Sequence, residues 1–305
     1  MKGTLLLASM VLTFLLSSGI ALAYGGGGTE YNTVRCKGGK CEGTPNSDKM
    51  VGTDRRDVMY AFKGNDLLYG RDGRDDLYGF LGYDDLRGGD GSDKLGGGDQ
   101  RDFLDGNSGP DVLNGGDSED QLQGGDGNDK LFAGSGGTAN RYIENLDGGR
   151  GADLLSGGPG FEYYNFDSDW GNDTISDPDA NAVMFYGSQE DLSIRLSPGA
   201  GPEASDGTNS VEWDDAFKIR ELVGGSGDDT ITGDDRSNYL AGSTGSDTIN
   251  GGGGDDLLSG GGCPGSYCGP YDYVPDTIDC GPGTDIVYFE PTQDTVTNCE
   301  NLNPE

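Results

Sequence analysis

From Gly64 to Ser135 one nine-residue phrase repeats eight times without a gap: GNDLLYGRD, GRDDLYGFL, GYDDLRGGD, GSDKLGGGD, QRDFLDGNS, GPDVLNGGD, SEDQLQGGD and GNDKLFAGS. Its third place is always aspartate (Asp66, Asp75, Asp84, Asp93, Asp102, Asp111, Asp120, Asp129), and its fifth is always leucine, from Leu68 to Leu131. Composition alone cannot lock two residue types to a period of nine, so the chain is a repeat protein before it is anything else. The runs between leucines, such as GGDGSD, hold glycines that admit positive φ and carboxylates that cannot be buried alone; they must be bends. About three residues per phrase remain for a strand, with the leucine facing one way and its two neighbours the other. Those neighbours vary freely: Leu67, Asp76, Asp85, Lys94 and Phe103 at one place, Tyr69, Tyr78, Arg87, Gly96 and Asp105 at the other. Constant leucine inside and arbitrary residues outside predict the wall of an all-β solenoid.

One buried leucine per nine residues is little to set against the entropy of ordering those nine. Aspartates stacked above aspartates add repulsion. Something cationic therefore belongs in the bends. Oxygen-only ligands in a glycine-rich turn specify a hard ion, calcium ahead of magnesium because the oxygens are many and the geometry loose.

GGDGSDKLG, Gly88 to Gly96, resembles the RTX or haemolysin-type calcium-binding nonapeptide, Gly-Gly-x-Gly-x-Asp-x-hydrophobic-x, and LNGGDSEDQLQGGDGNDKL is similar to it. The resemblance implies a parallel β-roll with two nonapeptides per coil, calcium being held between stacked turns by backbone carbonyls and by the aspartate of the sixth motif position. Residues eighteen apart then pair, as Asp66 with Asp84, Asp75 with Asp93, and Asp111 with Asp129. The expected ligands are the eight aspartates above together with Asp153, Asp229, Asp247 and Asp256. Gln100 and Ser118, each in place of a turn glycine, and Phe80-Leu81, in place of Gly-x, weaken individual sites.

The first residues, MKGTLLLASMVLTFLLSSGIALAY, have a basic start, an apolar run and an Ala21-Leu22-Ala23 cleavage pattern, which reads as a secretory signal over 1–23. A membrane anchor is the alternative, though the run is short for a span. RTX exoproteins leave by a C-terminal signal, and this chain departs from that habit. Residues 24–45 form a glycine-rich leader with a small cysteine loop. The first array spans 46–177. It opens with two imperfect phrases whose aspartates, Asp48 and Asp57, belong to a cap, and slips in phase at 136–141. It resumes with Glu144, Asp153 and Glu162 in the ligand place and Leu146, Leu155 and Tyr164 in the core. Residues 178–217 break the pattern as an irregular β insert, where DLSIRL alternates like a strand or hairpin. A second array runs over 218–262, with Arg220 and Asn238 where an aspartate is expected, and 263–305 is a cysteine-containing cap that keeps Asp276-x-Ile278 and Asp285-x-Val287.

Six cysteines in a secreted chain read as disulfides, paired locally as Cys36 with Cys41, Cys263 with Cys268 and Cys280 with Cys299; a four-cysteine zinc site in the tail is the alternative. The chain has no histidine and no Gly-x-Ser-x-Gly, which removes Ser-His-Asp chemistry and the histidine zinc sites of proteases. Its formal charge of -34 argues against nucleic acid as a partner. Calcium ligation explains the turn carboxylates better than glycosidase-like pairs do. The expectation is a secreted, non-enzymatic, calcium-binding β-roll with a structural, surface or matrix role and no membrane span after signal cleavage. The alternatives are a calcium-dependent adhesin for surface or matrix polysaccharide, and a hydrolase or toxin with its site in 178–217. Outward Tyr60 and Tyr78, eighteen residues apart, would stack on consecutive coils and offer glycan an aromatic patch, or simply pack on the sheet. Scattered Thr230, Thr232 and Thr248 make a poor ice-binding face.

Overall fold

A computed structural model describes residues 31–135, 143–158, 161–166, 170–176, 182–184, 193–195, 204–205, 210–213, 221–261 and 274–304. The secretory signal, Arg220 and the Cys263–Cys268 pair lie outside these residues, as does most of the 178–217 insert.

The chain winds as a parallel β-roll. Successive phrases alternate between two sheets, one of 14 described strands and one of 15. Each strand pairs in parallel with the strand one full coil away, so Leu68 lies beside Leu86 and Leu86 beside Leu104, while Leu77, Leu95 and Leu113 line the opposite sheet. The two files of leucine meet in one seam, and from Met50 to Val287 its members are essentially inaccessible to solvent. Among the described residues no helix is long and apolar enough to cross a membrane.

The strands are longer than a three-residue wall predicts: Leu67–Gly73 and Asp85–Gly91 each hold seven residues. The glycine bends of neighbouring coils superimpose, so pairing continues through Gly89 with Asn107 and Asp90 with Ser108. Small residues let the backbones stay in register around the corner, where side chains would have ended the ladder.

The phase slip after Ser135 is absorbed without breaking the ladder, because Leu122 pairs with Leu146 across 24 residues instead of 18. In the seam Tyr164, Phe166 and Trp170 then take the place of leucine, Phe166 and Trp170 meeting edge to face at 5.5 Å. The insert does not divide the molecule. In one sheet Phe161–Asn165, Ala182–Met184 and Glu221–Val223 are consecutive parallel neighbours. In the other, Ser193–Arg195, Ala204–Ser205 and Ser210–Trp213 form an antiparallel excursion joined in parallel to the strand on either side. Disulfides Cys36–Cys41 and Cys280–Cys299 staple the two ends, and the second removes two ligands from the alternative zinc site.

Candidate metal centre

Each aspartate of the phrase sits at the mouth of a bend, buried to within a few per cent although it carries a carboxylate. The coil geometry answers half of that carboxylate. The backbone N–H of Asp66 donates to Asp84 Oδ1 at 2.8 Å, that of Asp84 to Asp102 at 2.8 Å, and that of Asp102 to Asp120 at 2.8 Å. A second ladder on the other edge runs from Asp57 through Asp75, Asp93, Asp111, Asp129 and Asp153 to Asp173. Residues eighteen apart are thus joined by a hydrogen bond, a link the repeat spacing alone did not reveal.

The other oxygen is what the bend leaves over. Oδ2 of Asp66, Asp75, Asp84, Asp93, Asp102, Asp111, Asp120, Asp129, Asp153 and Asp256 is buried and accepts no hydrogen bond. Four residues before each of these ten stands a residue with left-handed backbone: Phe62, Arg71, Phe80, Gly89, Gly98, Asn107, Gly116, Gly125, Gly149 and Gly252, with φ from 72° to 127°. Where that residue is not left-handed, its amide donates to the carboxylate instead. Thr53 N–H reaches Asp57 Oδ2 at 2.8 Å, and Gly225 N–H reaches Asp229 Oδ2 at 2.9 Å. Thr44 serves Asp48, and Asp234 serves Asn238 Oδ1, in the same way. A left-handed residue turns the amide aside and exposes an acceptor with nothing to accept. Phe62, Arg71, Phe80 and Asn107 do this without being glycine, at a cost of about 1–3 kcal/mol each.

Carbonyl oxygens complete the donor set. A methyl group added to Gly106 would lie 2.5 Å from both Asp111 Oδ2 and the Gly124 carbonyl oxygen, and one on Gly88 would lie 2.5 Å from Asp93 Oδ2 and 2.8 Å from the Gly106 carbonyl. The space that glycine keeps clear is therefore walled by hard oxygens at about the 2.3–2.6 Å that calcium takes. Among the described residues no three acidic or sulfur side chains gather at one point. A cation here draws on one carboxylate per bend and on backbone carbonyls, which suits calcium and poorly suits zinc.

Without a cation, burial raises the pKa of these carboxyls, against the lowering effect of the N–H bond each accepts. Asp66, Asp75, Asp129 and Asp256 move up to about 6, Asp84 and Asp153 to about 7, Asp111 and Asp120 to about 8, and Asp102 to about 9. The folded state therefore holds protons that the unfolded chain, with aspartate near 3.8, releases. Stability that is full below pH 3.8 is lost as pH climbs through about 6 to 9. In calcium-free buffer the chain is expected to keep a strand signal that urea melts at pH 4.5 and to be already unfolded at pH 8, and saturating calcium is expected to remove or reverse that order. Equal midpoints at the two pH values in calcium-free buffer would contradict the linkage.

Of the twelve sequence-assigned ligands, Asp229 departs from the pattern, its Oδ2 being engaged by Gly225; Asp247 keeps it, standing four residues after left-handed Ser243 with its N–H on Asp276 Oδ1. The ladder also enlists residues outside that set. Asp173 is pushed up to about 8 by burial, and Asp285 is buried beneath left-handed Gly281, with its Oδ2 unanswered. Asp285 was legible as Asp-x-Val in the tail; Asp173 stands beyond a phase slip that hid it. At the C-terminal end Asp294 and Glu300 close the ladders by accepting from Asp276 and Asp285.

Seven stretches, residues 42–77, 69–104, 78–113, 105–137, 138–160, 221–235 and 232–262, match the family model described as RTX calcium-binding nonapeptide repeat (4 copies), and together they cover more than half of the chain. No curated protein matches it.

Proposed function

The chain belongs to the RTX calcium-binding nonapeptide repeat family, and from that premise we propose an extracellular scaffold that stays unfolded until it meets calcium and then serves as a rigid surface or matrix component. It is a calcium-binding β-roll; the finer reading adds where it works and which residues take the ion. The single observation that carries it is the coincidence of a left-handed residue with a bare, buried Oδ2 at the eight consecutive bends from Asp66 to Asp129 and again at Asp153 and Asp256. Calcium held by extracellular modules binds with Kd of about 10⁻⁴–10⁻³ M, a range that keeps such a chain unfolded inside the cell and folds it outside. The basic and apolar start ending at Ala23 supports export. The absence of histidine and of a nucleophile elbow supports a role without catalysis.

The ligand assignment predicts a difference between two aspartates of the same motif place. Asp111→Asn is expected to remove one calcium from the titrated stoichiometry, because its bare Oδ2 becomes an amide. Asp229→Asn is expected to leave the stoichiometry unchanged, because its Oδ2 already accepts from Gly225. Isothermal titration of the two variants against the parent chain reads this directly, and equal losses would refute the assignment. Export is checked separately, by asking whether protein recovered from the medium begins at Tyr24. Uncleaved, cell-retained protein would remove the extracellular half of the reading.

An adhesive role is the second reading. It is favoured by aromatic rings stacked on the outer face of one sheet: Tyr60 and Tyr78 at 5.4 Å, with Phe62 and Phe80 at 6.0 Å beside them.

A further inference from the structure

On the sheet that carries Asp57–Lys63, Asp76–Leu81, Lys94–Asp99 and Val112–Asp117, the residues Tyr60, Tyr78, Gly96 and Asn114 follow one another at the same rank of the ladder. Tyr60 and Tyr78 lie nearly parallel, 15° apart, and each ring covers one face of the other. The far face of Tyr60 is capped by the ammonium of Lys40, 5.4 Å from the ring centre. Among the described residues no cation stands over Tyr78, whose other ring neighbour, Phe80 on its own strand, lies 6.2 Å away and tilted by 42°. The Tyr78 ring leans over Gly96, where an added methyl would stand 3.3 Å from its Cδ1 and 3.7 Å from its Cε1, with no atom of any other residue within 4 Å. Tyr69 on the other sheet shows the contrast, being approached by Lys49 at 5.3 Å and by Arg87 at 6.0 Å.

Gly96 thus leaves a gap in the rank of side chains between the Tyr78 strand and the Asn114 strand, whose backbones stand two strand spacings, about 9.5 Å, apart, with the Tyr78 ring leaning in from one side. One wall is an aromatic face, the floor is glycine backbone, and the opposite wall is the exposed amide of Asn114. Lys94, two residues before Gly96 on the same outward face, is exposed, and the described ion pairs involve other residues. Lys130, two strands further on at the rank of Lys94, is exposed likewise. Asp76, beside Lys94 on the ladder, is paired with Arg56 at 2.6 Å, so on a chain of net charge -34 Lys94 and Lys130 make a local positive edge, while Asp99 and Asp117 mark the far margin of the same strands.

We propose that this slot binds an acidic polysaccharide, one pyranose ring stacking on Tyr78 in the place of the side chain that Gly96 lacks. Its carboxylate is directed to Lys94 and away from Asp99, and its hydroxyls face Asn114. A sugar ring presents apolar C–H groups on its face and hydroxyls on its rim, which is the order of surfaces the slot offers. An aromatic residue of a partner protein would match the Tyr78 face but leave the lysines and the amide unanswered. The proposal deepens the adhesive reading and rests on the chain being extracellular.

The test uses the full chain in saturating calcium, with trigalacturonate as the probe and cellotriose as its neutral counterpart, followed by isothermal titration. Trigalacturonate is expected to bind more tightly than cellotriose. Tyr78→Ala is expected to weaken it about tenfold, the scale of one aromatic contact, and Lys94→Glu to weaken it and abolish the preference for the acid. Gly96→Tyr, which completes the ring stack, is expected to block binding. The backbone of Gly96 is not left-handed, so it can carry a side chain; where Gly96→Tyr fails to fold, Tyr78→Ala decides. Undetectable binding by the parent chain, equal affinity for both sugars, or unchanged affinity in the folded variants would overturn the proposal. So would a dimer in light scattering that Gly96→Tyr dissolves, which would assign the slot to a second copy. Circular dichroism of each variant with and without calcium separates the two levels: a chain that folds on calcium but ignores the sugar loses this inference alone.

Discussion

In calcium-free buffer at neutral pH the far-ultraviolet strand signal of the chain is expected to disappear, and to return cooperatively when calcium reaches millimolar concentration. The cause lies in the bends. From Asp66 to Asp129 each coil buries two carboxylates, each left with a second oxygen that water cannot reach and that accepts no hydrogen bond. An unanswered buried acceptor costs about 1–3 kcal/mol, more when charged, and the cost recurs along both edges through all the coils from Asp66 to Asp129. The leucine seam that opposes it is one side chain wide. Calcium removes the penalty everywhere at once, and because each coil contacts only its neighbours, closing one favours closing the next. Circular dichroism during titration, in resin-treated buffer of low ionic strength, is the measurement. A compact, cooperatively melting chain in the absence of divalent ions would show that the seam suffices and that the bends need no metal.

The second large effect is expected in the seam itself. Leu104 is fully buried, with Leu86 and Leu122 directly beside it in the ladder. Leu104→Ala should cost about 2–5 kcal/mol, the range for emptying a leucine site that cannot collapse. Collapse is hindered here because strand spacing is fixed by backbone pairing on both sides. In a quasi-linear molecule that loss weakens the coupling between the coils before and after it. Denaturation in saturating calcium is expected to shift to lower urea and to broaden or split, and the calcium midpoint to rise. The partly buried Val296, near the C-terminal end, provides the comparison: Val296→Ala should produce a small shift and leave a single transition. Equal effects at both positions would mean that the solenoid does not behave as a chain of coupled coils.

What the sequence disclosed and what it hid follow from the same physics. Leucine and aspartate were legible because their roles depend on side-chain type, and each position admits one answer: Leu68 through Leu131 fill the seam, and Asp66 through Asp129 line the bends. The left-handed place was not legible, since Phe62, Arg71, Phe80 and Asn107 occupy it as well as glycine does. Read as letters, Phe80-Leu81 looked like a defect in its turn; in the structure Phe80 holds the same backbone as Gly89 and leaves Asp84 just as bare. Asp229 shows the reverse, a sound motif whose second glycine, Gly225, is not left-handed and whose carboxylate is already engaged. The continuity of both sheets through the insert was also hidden, because short segments such as Ala182–Met184 and Ser193–Arg195 owe their place to neighbours far away in sequence.

The alternation of phrases between two sheets limits how such a chain can change its length. Removing eighteen residues between Asp66 and Asp129 would shorten the rod by one strand spacing, about 4.8 Å, and return every later side chain to the sheet it left. Removing nine would send everything downstream to the opposite sheet, so that loops now on one flank would emerge on the other and the closing strands would meet the wrong partners. The protein has an even-numbered grammar: duplication or loss in whole turns is silent at the ends, and half-turns are not.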